Sequence, residues 1–218
     1  MSIKNNIQKI RDSVGNGVKI IAVTKTRSTD EMLEAIKCGI TDIGESRIQE
    51  AVEKLSFLPK NITKHFIGRL QTNKVRDAVK LFDVIQSVDR FELAEKISEE
   101  CGKIGKTMPI LIQMNTSNEP QKGGVKPDEL NNLIKKISEL PNIRIEGLMT
   151  IAIDSDDGDG IRKCFRTLKE KFETIKSNFD FRGSKFDFQF LSMGMSGDYK
   201  IAISEGANMV RIGSAIFG

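Results

Sequence analysis

The stretch LSMGMSGDYKIAISEGANMVRIGSAIFG, from Leu191 to Gly218, contains two short apolar runs that each lead into a turn of small residues. A helical segment separates the two runs, which is the pattern of one strand–helix–strand step. Small residues leave backbone N–H groups open to an anion, and such groups bind phosphate. The small residues are Ser192, Gly194, Ser196 and Gly197 in the first turn and Gly213 and Ser214 in the second. The stretch therefore predicts a phosphorylated ligand held between two turns.

The same alternation of short apolar runs and helical segments extends along the rest of the chain. Eight strand–helix steps without a long linker favour a (β/α)8 barrel of the TIM type. A doubly wound sheet has the same local pattern and stays an alternative on pattern alone. The predicted strands are Val18–Val23, Thr41–Ile43, Lys64–Ile67, Val84–Val88, Met108–Met114, Ile143–Thr150, Phe188–Leu191 and Asn208–Ile212.

The length of 218 residues suits one α/β barrel, so a single domain over residues 1–218 is expected. Ile3, Ile7 and Ile10 have helical spacing and predict an extra helix before the first strand. Further along, the segment Ser28–Glu31 reads as a capping box that begins a helix. Helix ends are indicated at Gly39 and Gly206, and Pro127 suits the first position of another helix.

The composition argues against several classes of function. Lys and Arg number 34 and Asp and Glu 30, without a basic block, which argues against nucleic-acid binding. Cys38, Cys101 and Cys164 lie far apart, so we expect no disulfide framework and a cytoplasmic location. His65 is the only histidine, which leaves no ligand set for a metal and favours a hydrogen-bonded structural role. No apolar run approaches the ~18 residues of a membrane span.

In a closed barrel the last strand pairs with the first, and the ends of all strands meet at one mouth. Lys25 follows the apolar run of the first strand, and Arg211 shares a strand face with Gly213 two residues later. A lysine beside a phosphate-binding turn is expected to be desolvated, which favours the neutral amine, a carbonyl nucleophile. Lys25 with a phosphate site predicts an aldehyde phosphate, either pyridoxal 5′-phosphate or the substrate of a sugar-phosphate aldolase.

Six motifs cover nearly the whole chain in a fixed order. They are Ala22–Lys25 (AVTK), Ile43–Ala51 (IGESRIQEA), His65–Lys74 (HFIGRLQTNK), Gly147–Met149 (GLM), Leu191–Ser196 (LSMGMS) and Val210–Gly218 (VRIGSAIFG). In this order they resemble the pyridoxal-phosphate homeostasis proteins, the YggS/PROSC family, which are relatives of the N-terminal barrel of alanine racemases. Six motifs in family order are a far more specific signal than one glycine-rich turn.

The resemblance implies a role for each matching residue. Lys25 would form the internal aldimine of pyridoxal 5′-phosphate, and Arg211 would face the pyridine nitrogen. A guanidinium donates a hydrogen bond and keeps its proton, so the ring would stay a weak electron sink. The resemblance places Ser192, Gly213 and Ser214 at the phosphate and Met193 near the ligand.

Three positions depart from the family pattern. Ser46 stands where many members have Asn, Lys64 where many have an aromatic residue, and Ser214 where Thr is frequent. Ser46 has a shorter reach than Asn and is left outside the predicted site, whereas Ser214 keeps the hydroxyl. Lys64 is expected to face away from the mouth. His65 is expected to support the edge of the site without a catalytic role.

The resemblance favours a non-catalytic protein that buffers or delivers pyridoxal 5′-phosphate inside the cell. A racemase needs a second acid or base, and in alanine racemases a tyrosine from an added domain supplies it. The only tyrosine here is Tyr199, and the sequence ends at Gly218, so no catalytic residue is predicted. A weak amino-acid racemase and a sugar-phosphate aldolase stay alternatives. A monomer is expected, with pyridoxal-phosphate-requiring apo-enzymes as recipients of the cofactor.

Overall fold

The computed structural model describes residues 2–117, 119, 122–178 and 186–218. Within these ranges eight parallel strands close into a barrel in sequence order, with helices around it. The strands are β1 Lys19–Val23, β2 Asp42–Glu45, β3 Thr63–Phe66, β4 Val84–Val88, β5 Met108–Gln113, β6 Ile143–Met149, β7 Phe186–Ser192 and β8 Met209–Ile212. The helices are α1 Ile3–Val14, α2 Thr29–Lys37, α3 Ile48–Leu55, α4 Val75–Leu81, α5 Phe91–Lys103, α6 Leu130–Ser138, α7 Gly158–Asn178, α8 Tyr199–Ser204 and α9 Ser214–Phe217, with a 3-10 turn at Thr72–Lys74.

The last strand closes the barrel against the first. Ile21 of β1 lies opposite Arg211 of β8, and Ala22 lies opposite Ile212, in a parallel pair. The predicted barrel is confirmed, and the doubly wound alternative is wrong. Because all strands run in the same direction, their carboxyl ends surround one mouth. This closure brings the loop after β1 next to the loop after β8, although the two are far apart in sequence.

Helix ends follow the predicted signals, with one exception. The Ser28 hydroxyl accepts a hydrogen bond from the Glu31 N–H and the Glu31 carboxylate accepts one from the Ser28 N–H, which is the predicted capping box. Gly39 and Gly206, just after α2 and α8, have φ of +90° and +96°. Pro127 is wrong as the first residue of a helix, because it lies in a turn and α6 begins at Leu130.

The N-terminal helix α1 adds buried apolar side chains to the core that the strands and the other helices form. The predicted extra helix is present, and it buries Ile7, Ile10 and Val14. Burial of such side chains stabilises the fold by about 1.5–3 kcal/mol each. Among the described helices, none has the length and apolar composition of a membrane span.

A second, smaller apolar cluster consists of strand residues alone. It contains Ile21, Leu111, Met149 and Met209, and it is separate from the larger cluster that the helices share. We place it in the barrel interior for that reason. The amide of Gln86 reaches the same space, with Nε2 3.4 Å from the Met209 Sδ. The interior is therefore partly polar.

Candidate functional site

A cavity of about 470 Å³ opens at the carboxyl ends of the strands, mainly between β1, β7 and β8. Its walls come from the loops after these strands and from single residues after β2, β3 and β6. The lining residues are Val23, Lys25, Thr26, Arg27, Ser46, Ile67, Ile151, Met195, Ser196, Gly197, Arg211, Gly213 and Ser214.

Lys25 lies in the turn that follows β1, and its side chain is exposed. The expected desolvation of this lysine is therefore not found. Because the amine is exposed and lines the cavity, it can attack the carbonyl group of a ligand that enters there.

A network of side chains from β2 and α3 holds the backbone on both sides of Lys25. The Thr24 hydroxyl donates to Glu45 Oε1 at 2.6 Å, and Lys54 Nζ donates to the Thr24 carbonyl at 3.3 Å. Glu50 accepts hydrogen bonds from both Lys54 Nζ and the Thr26 N–H. Thr26 has φ of +63°, a conformation that β-branched residues rarely adopt. The network therefore fixes a strained turn beneath the lysine.

The two carboxyl groups of this network have opposite electrostatic environments. Burial raises the pKa of Glu45, and its Oε2 has no hydrogen-bond partner. Burial also acts to raise the pKa of Glu50, but hydrogen bonds from Lys54 and Thr26 outweigh it, so the pKa is lowered. Glu50 is therefore the anion that balances Lys54 under the turn.

The turn after β8 meets the turn after β7 at the other wall of the cavity. The N–H groups of Gly213 and Ala215 both lie 3.2 Å from the Ser196 Oγ and donate to it. A Cβ built on Gly213 would lie 3.4 Å from Val23 Cβ, so the missing side chain keeps that part of the cavity open. Because Ser196 Oγ accepts both N–H groups, its own proton is left to donate to a ligand, and with the Ser214 hydroxyl it forms a donor pair that suits a phosphate.

Arg211 lies at the floor of the cavity and is only 3% exposed. Its Nη1 donates to Ser192 Oγ at 2.8 Å, and its Nη2 donates to the Thr150 carbonyl at 2.7 Å. Burial lowers the pKa of Arg211 to about 10, which leaves the guanidinium protonated at neutral pH. Among the described residues that line the cavity, the charged ones are Lys25, Arg27 and Arg211, and none is an Asp or Glu. The cavity is therefore suited to an anion.

The predicted site residues divide into two groups. Lys25, Arg211, Gly213 and Ser214 line the cavity. Ser192 does not line it, because its buried hydroxyl lies between Arg211 Nη1 and Gln86 Oε1. The geometry therefore gives Ser192 a contact with Arg211 in place of the expected direct contact with a phosphate.

Met193 is the second predicted residue that does not line the cavity. It is fully buried in the core, whereas Met195 is 40% exposed and lines the cavity. The backbone at Met193 still runs beside β8, since its N–H donates to the Met209 carbonyl at 3.1 Å, and Gly194 follows with φ of +95°. Ser46, which the sequence left outside the site, lies in the cavity wall.

Sequence reasoning also missed Arg27. Its guanidinium lies 5.5 Å from the centre of the Phe217 ring and donates to the Gly218 carbonyl at 3.0 Å. These contacts tie the loop after β1 to helix α9. The sequence feature that could have identified Arg27 is its position two residues after Lys25 in the same loop.

Tyr199 lies outside the cavity lining. It is the only tyrosine of the chain, and its hydroxyl is 3.0 Å from the Ser13 Oγ of helix α1. The phenol is therefore bound to the outer helix layer.

Comparison with known proteins gives consistent relatives along the whole chain. The family described as alanine racemase, N-terminal domain, matches residues 1–218. The pyridoxal phosphate homeostasis protein of Aquifex aeolicus is 36% identical over 99% of this chain and 94% of its own length. PipY of Synechococcus elongatus, solved with PLP bound, is 32% identical, with a TM-score of 0.89 and full coverage of both chains.

A more distant structure shares the fold alone. Alanine racemase of Clostridium difficile is 19% identical with a TM-score of 0.79, and the match covers 100% of this chain and 55% of that one. The high identity and coverage belong to the homeostasis proteins. The chain therefore belongs to the alanine racemase N-terminal domain family and, within it, to the pyridoxal phosphate homeostasis proteins.

Proposed function

We propose that this protein binds pyridoxal 5′-phosphate covalently through Lys25 and serves its homeostasis in the cell, as a buffer or a donor of the cofactor. One observation carries the proposal: a single cavity joins the Lys25 amine, the serine hydroxyls of the turns after β7 and β8 and the buried Arg211 guanidinium. The names of the relatives support the same ligand, since PipY was solved with PLP bound. The volume of about 470 Å³ suits a small ligand of this kind.

Each part of the cavity fits one part of the ligand. When bound, pyridoxal 5′-phosphate supplies an aldehyde that condenses reversibly with amines and a ring that can accept electrons. The exposed amine of Lys25 is placed to bind the aldehyde. The hydroxyls of Ser196 and Ser214 would hold the phosphate, and the N–H groups of Gly213 and Ala215 orient Ser196 by donating to its Oγ. Arg211 would donate to the ring nitrogen and keep its own proton, which limits the electron-accepting capacity of the ring.

A non-catalytic role is the finer part of the proposal. Racemisation of an amino acid needs a second acid or base on the far side of the ring. Apart from Lys25, the ionisable groups among the described residues of the cavity lining are the guanidinium groups of Arg27 and Arg211, which are poor bases. The phenol of Tyr199 is bound to Ser13 instead. These placements favour storage of the ligand over turnover.

An absorption spectrum tests the proposal. Purified protein with pyridoxal 5′-phosphate should develop a visible band, and Lys25→Arg, which keeps the charge but lacks the reactive amine, should not. Lys200→Arg changes an exposed lysine of α8 and serves as the matched control, so it should keep the band. A band that persists in Lys25→Arg, or no band in the unaltered protein with excess ligand, contradicts the proposal. A sugar-phosphate aldolase would bind its substrate without a stable chromophore.

Deuterium exchange tests the absence of catalysis. Alanine and serine, incubated with the loaded protein in deuterated water, should take up deuterium no faster than with free pyridoxal 5′-phosphate. Faster uptake that depends on Lys25 would show a weak racemase.

The remaining parts concern partners and location. The three cysteines are free, which supports a reducing compartment such as the cytoplasm.

A monomer is supported by the exposed large hydrophobic residues, which lie on different segments of the described chain: Val52, Phe57, Ile104 and Met195. Sedimentation velocity tests the monomer. Recovery of activity by a pyridoxal-phosphate-requiring apo-enzyme mixed with the loaded protein tests delivery.

A further inference from the structure

A chain of hydrogen bonds crosses the barrel interior from the cavity floor to the amino ends of the strands. From Arg211 it passes to Ser192 (Nη1 to Oγ, 2.8 Å), Gln86 (Oγ to Oε1, 2.7 Å), His65 (Nε2 to Nδ1, 3.0 Å) and Asp42 (Nε2 to Oδ1, 2.9 Å). None of the five side chains belongs to a residue more than 3% exposed. Asp42 ends the chain in a second cavity of about 380 Å³ at the lower end of the barrel.

Arg211 and Asp42, at the two ends of this series of hydrogen bonds, determine which atom donates and which accepts at each step. A guanidinium can only donate, so Ser192 Oγ accepts a hydrogen bond from Arg211. The Ser192 hydroxyl in turn donates a hydrogen bond to Gln86 Oε1. The Gln86 amide then presents its N–H to His65 Nδ1, which must be an acceptor. The remaining ring nitrogen, Nε2, carries the proton and donates to Asp42. The geometry therefore corresponds to one tautomer of a neutral imidazole.

Asp42 is well suited to be the terminal acceptor. Burial acts to raise the pKa of Asp42, but hydrogen bonds from His65 and Thr41 and the nearby charge of Lys19 outweigh it, so the pKa is lowered. Lys19 Nζ lies 3.1 Å from Asp42 Oδ1. The carboxylate stays ionised and accepts the Nε2 proton.

We propose that His65 and Gln86 are positioning residues, which hold Ser192 and Arg211 in place for the ring of the ligand. The proposal rests on the proposed function, since it concerns how Arg211 meets pyridoxal 5′-phosphate. Neither His65 nor Gln86 lines the ligand cavity, so both act through Ser192. Hydrogen bonds thereby connect the His65 imidazole with the cavity floor.

Loss of the imidazole would interrupt these hydrogen bonds between Gln86 and Asp42. The Gln86 amide would lose the acceptor that lies 3.0 Å from its Nε2 and would be free to turn over. Gln86 Nε2 would then face Ser192, whose hydroxyl proton would lose its acceptor next to Arg211. The effect therefore reaches the guanidinium that the ring would contact.

Other charged groups lie near His65 or Asp42, and their effects must be separated from that of the imidazole. Asp42 of β2 contacts Nε2, and the amide of Gln86 from β4 contacts Nδ1, next to Met209 of β8. The lower cavity is also lined by Lys19, Asp83, Arg144, Glu146 and Asp187. A comparison of variants at position 65 separates the imidazole from all of these.

The first test uses the unaltered protein, because His65 is the only histidine in the chain. Histidine labelled with nitrogen-15 gives one imidazole, and its two nitrogen signals identify the tautomer. At pH 7 we expect a protonated Nε2 and an unprotonated Nδ1, and Gln86→Leu should shift the Nδ1 signal. A proton on Nδ1 in the unaltered protein overturns the proposal.

The second test is ligand affinity in variants at position 65. Glutamine can accept from Gln86 and donate to Asp42, so His65→Gln should bind pyridoxal 5′-phosphate within about twofold of the unaltered protein. His65→Leu has neither hydrogen bond and should bind at least about threefold more weakly. Equal affinity of the three proteins, or the same loss in both variants, overturns the proposal.

The two proposals fail in different ways. Absence of a bond between Lys25 and the ligand contradicts the proposed function, and the tautomer of His65 can still be measured without ligand. A normal visible band with the opposite tautomer contradicts the positioning role alone.

Discussion

Arg211 Nη1 donates a 2.8 Å hydrogen bond to Ser192 Oγ in a place that solvent hardly reaches. This bond connects the floor of the ligand cavity with the buried hydrogen bonds of the barrel interior. Ser192 therefore belongs to the site through Arg211, although it does not line the cavity.

The first prediction concerns the Arg211 side chain. Arg211→Lys replaces a planar donor that reaches both Ser192 and Thr150 by a single ammonium group, so one of these partners loses its bond. Hydrogen bonds to charged groups contribute about 1.5–3 kcal/mol, so affinity for pyridoxal 5′-phosphate should fall about tenfold or more. Titration of the visible band measures this. Arg76→Lys, on the exposed face of α4, is the control, and an equal loss in both variants would refute the role of Arg211.

The second prediction concerns the support of the Lys25 turn. Glu50→Gln removes the charge that accepts from Lys54 Nζ and the Thr26 N–H. The turn with Thr26 at φ +63° should then relax. Affinity for pyridoxal 5′-phosphate should fall roughly threefold to tenfold, because a lost hydrogen bond costs about 1 kcal/mol of binding free energy. Glu53→Gln changes an exposed residue of the same helix and should bind like the unaltered protein. Equal affinity of all three proteins would show that the network does not position Lys25.

The third prediction concerns the turn after β7. A Cβ on Gly194 would lie 2.6 Å from Ala202 Cβ and 2.9 Å from Tyr199 Cα, and φ is +95°. Gly194→Ala should therefore lower the free energy of unfolding by about 2 kcal/mol or more and weaken ligand binding. At Gly197 a Cβ would meet nothing within 4 Å, so Gly197→Ala should change stability by only ~0.5 kcal/mol. Urea unfolding distinguishes the two, and equal stability would contradict the described turn.

The fourth prediction concerns acid stability. The folded-state pKa of Asp42 lies below its ordinary value of 3.8, so its carboxylate stabilises the fold above that value. The contribution is lost as the pH falls through the folded-state pKa. Asp42→Asn should lower the free energy of unfolding by about 1.5–3 kcal/mol at pH 7. Unfolding measured from pH 7 into strong acid should show the two proteins converging, and a constant difference would contradict the assignment.

Much of the fold could be predicted from local pattern, but its closure could not. The predicted strand Val84–Val88 has the same bounds in the structure, where helices α4 and α5 lie on either side of it in sequence. A barrel and a doubly wound sheet share that pattern, since the pairing of β1 with β8 joins distant residues. In β2, Gly44 and Glu45 belong to the strand because they pair with His65 and Phe66, a register that local sequence does not contain.

The site could be predicted where strand position decides it. Lys25 and Arg211 line one cavity because Lys25 follows β1 and Arg211 lies in β8, the two strands that close the barrel, and their roles at a ligand stay predictions. Met193 does not line the cavity, because its side chain is buried in the core, and its place near the ligand stays a prediction. The role of Gln86 was missed, although a glutamine within an apolar strand is itself a signal that a buried partner exists.

The identity of the reactive lysine tests the central claim most directly. The protein is incubated with pyridoxal 5′-phosphate, reduced with borohydride and digested with trypsin. The account predicts that the ligand mass appears on the peptide of residues 20–27, because modified Lys25 is no longer cleaved. Label at Lys54 or another lysine in place of Lys25, or an unlabelled protein, would contradict it.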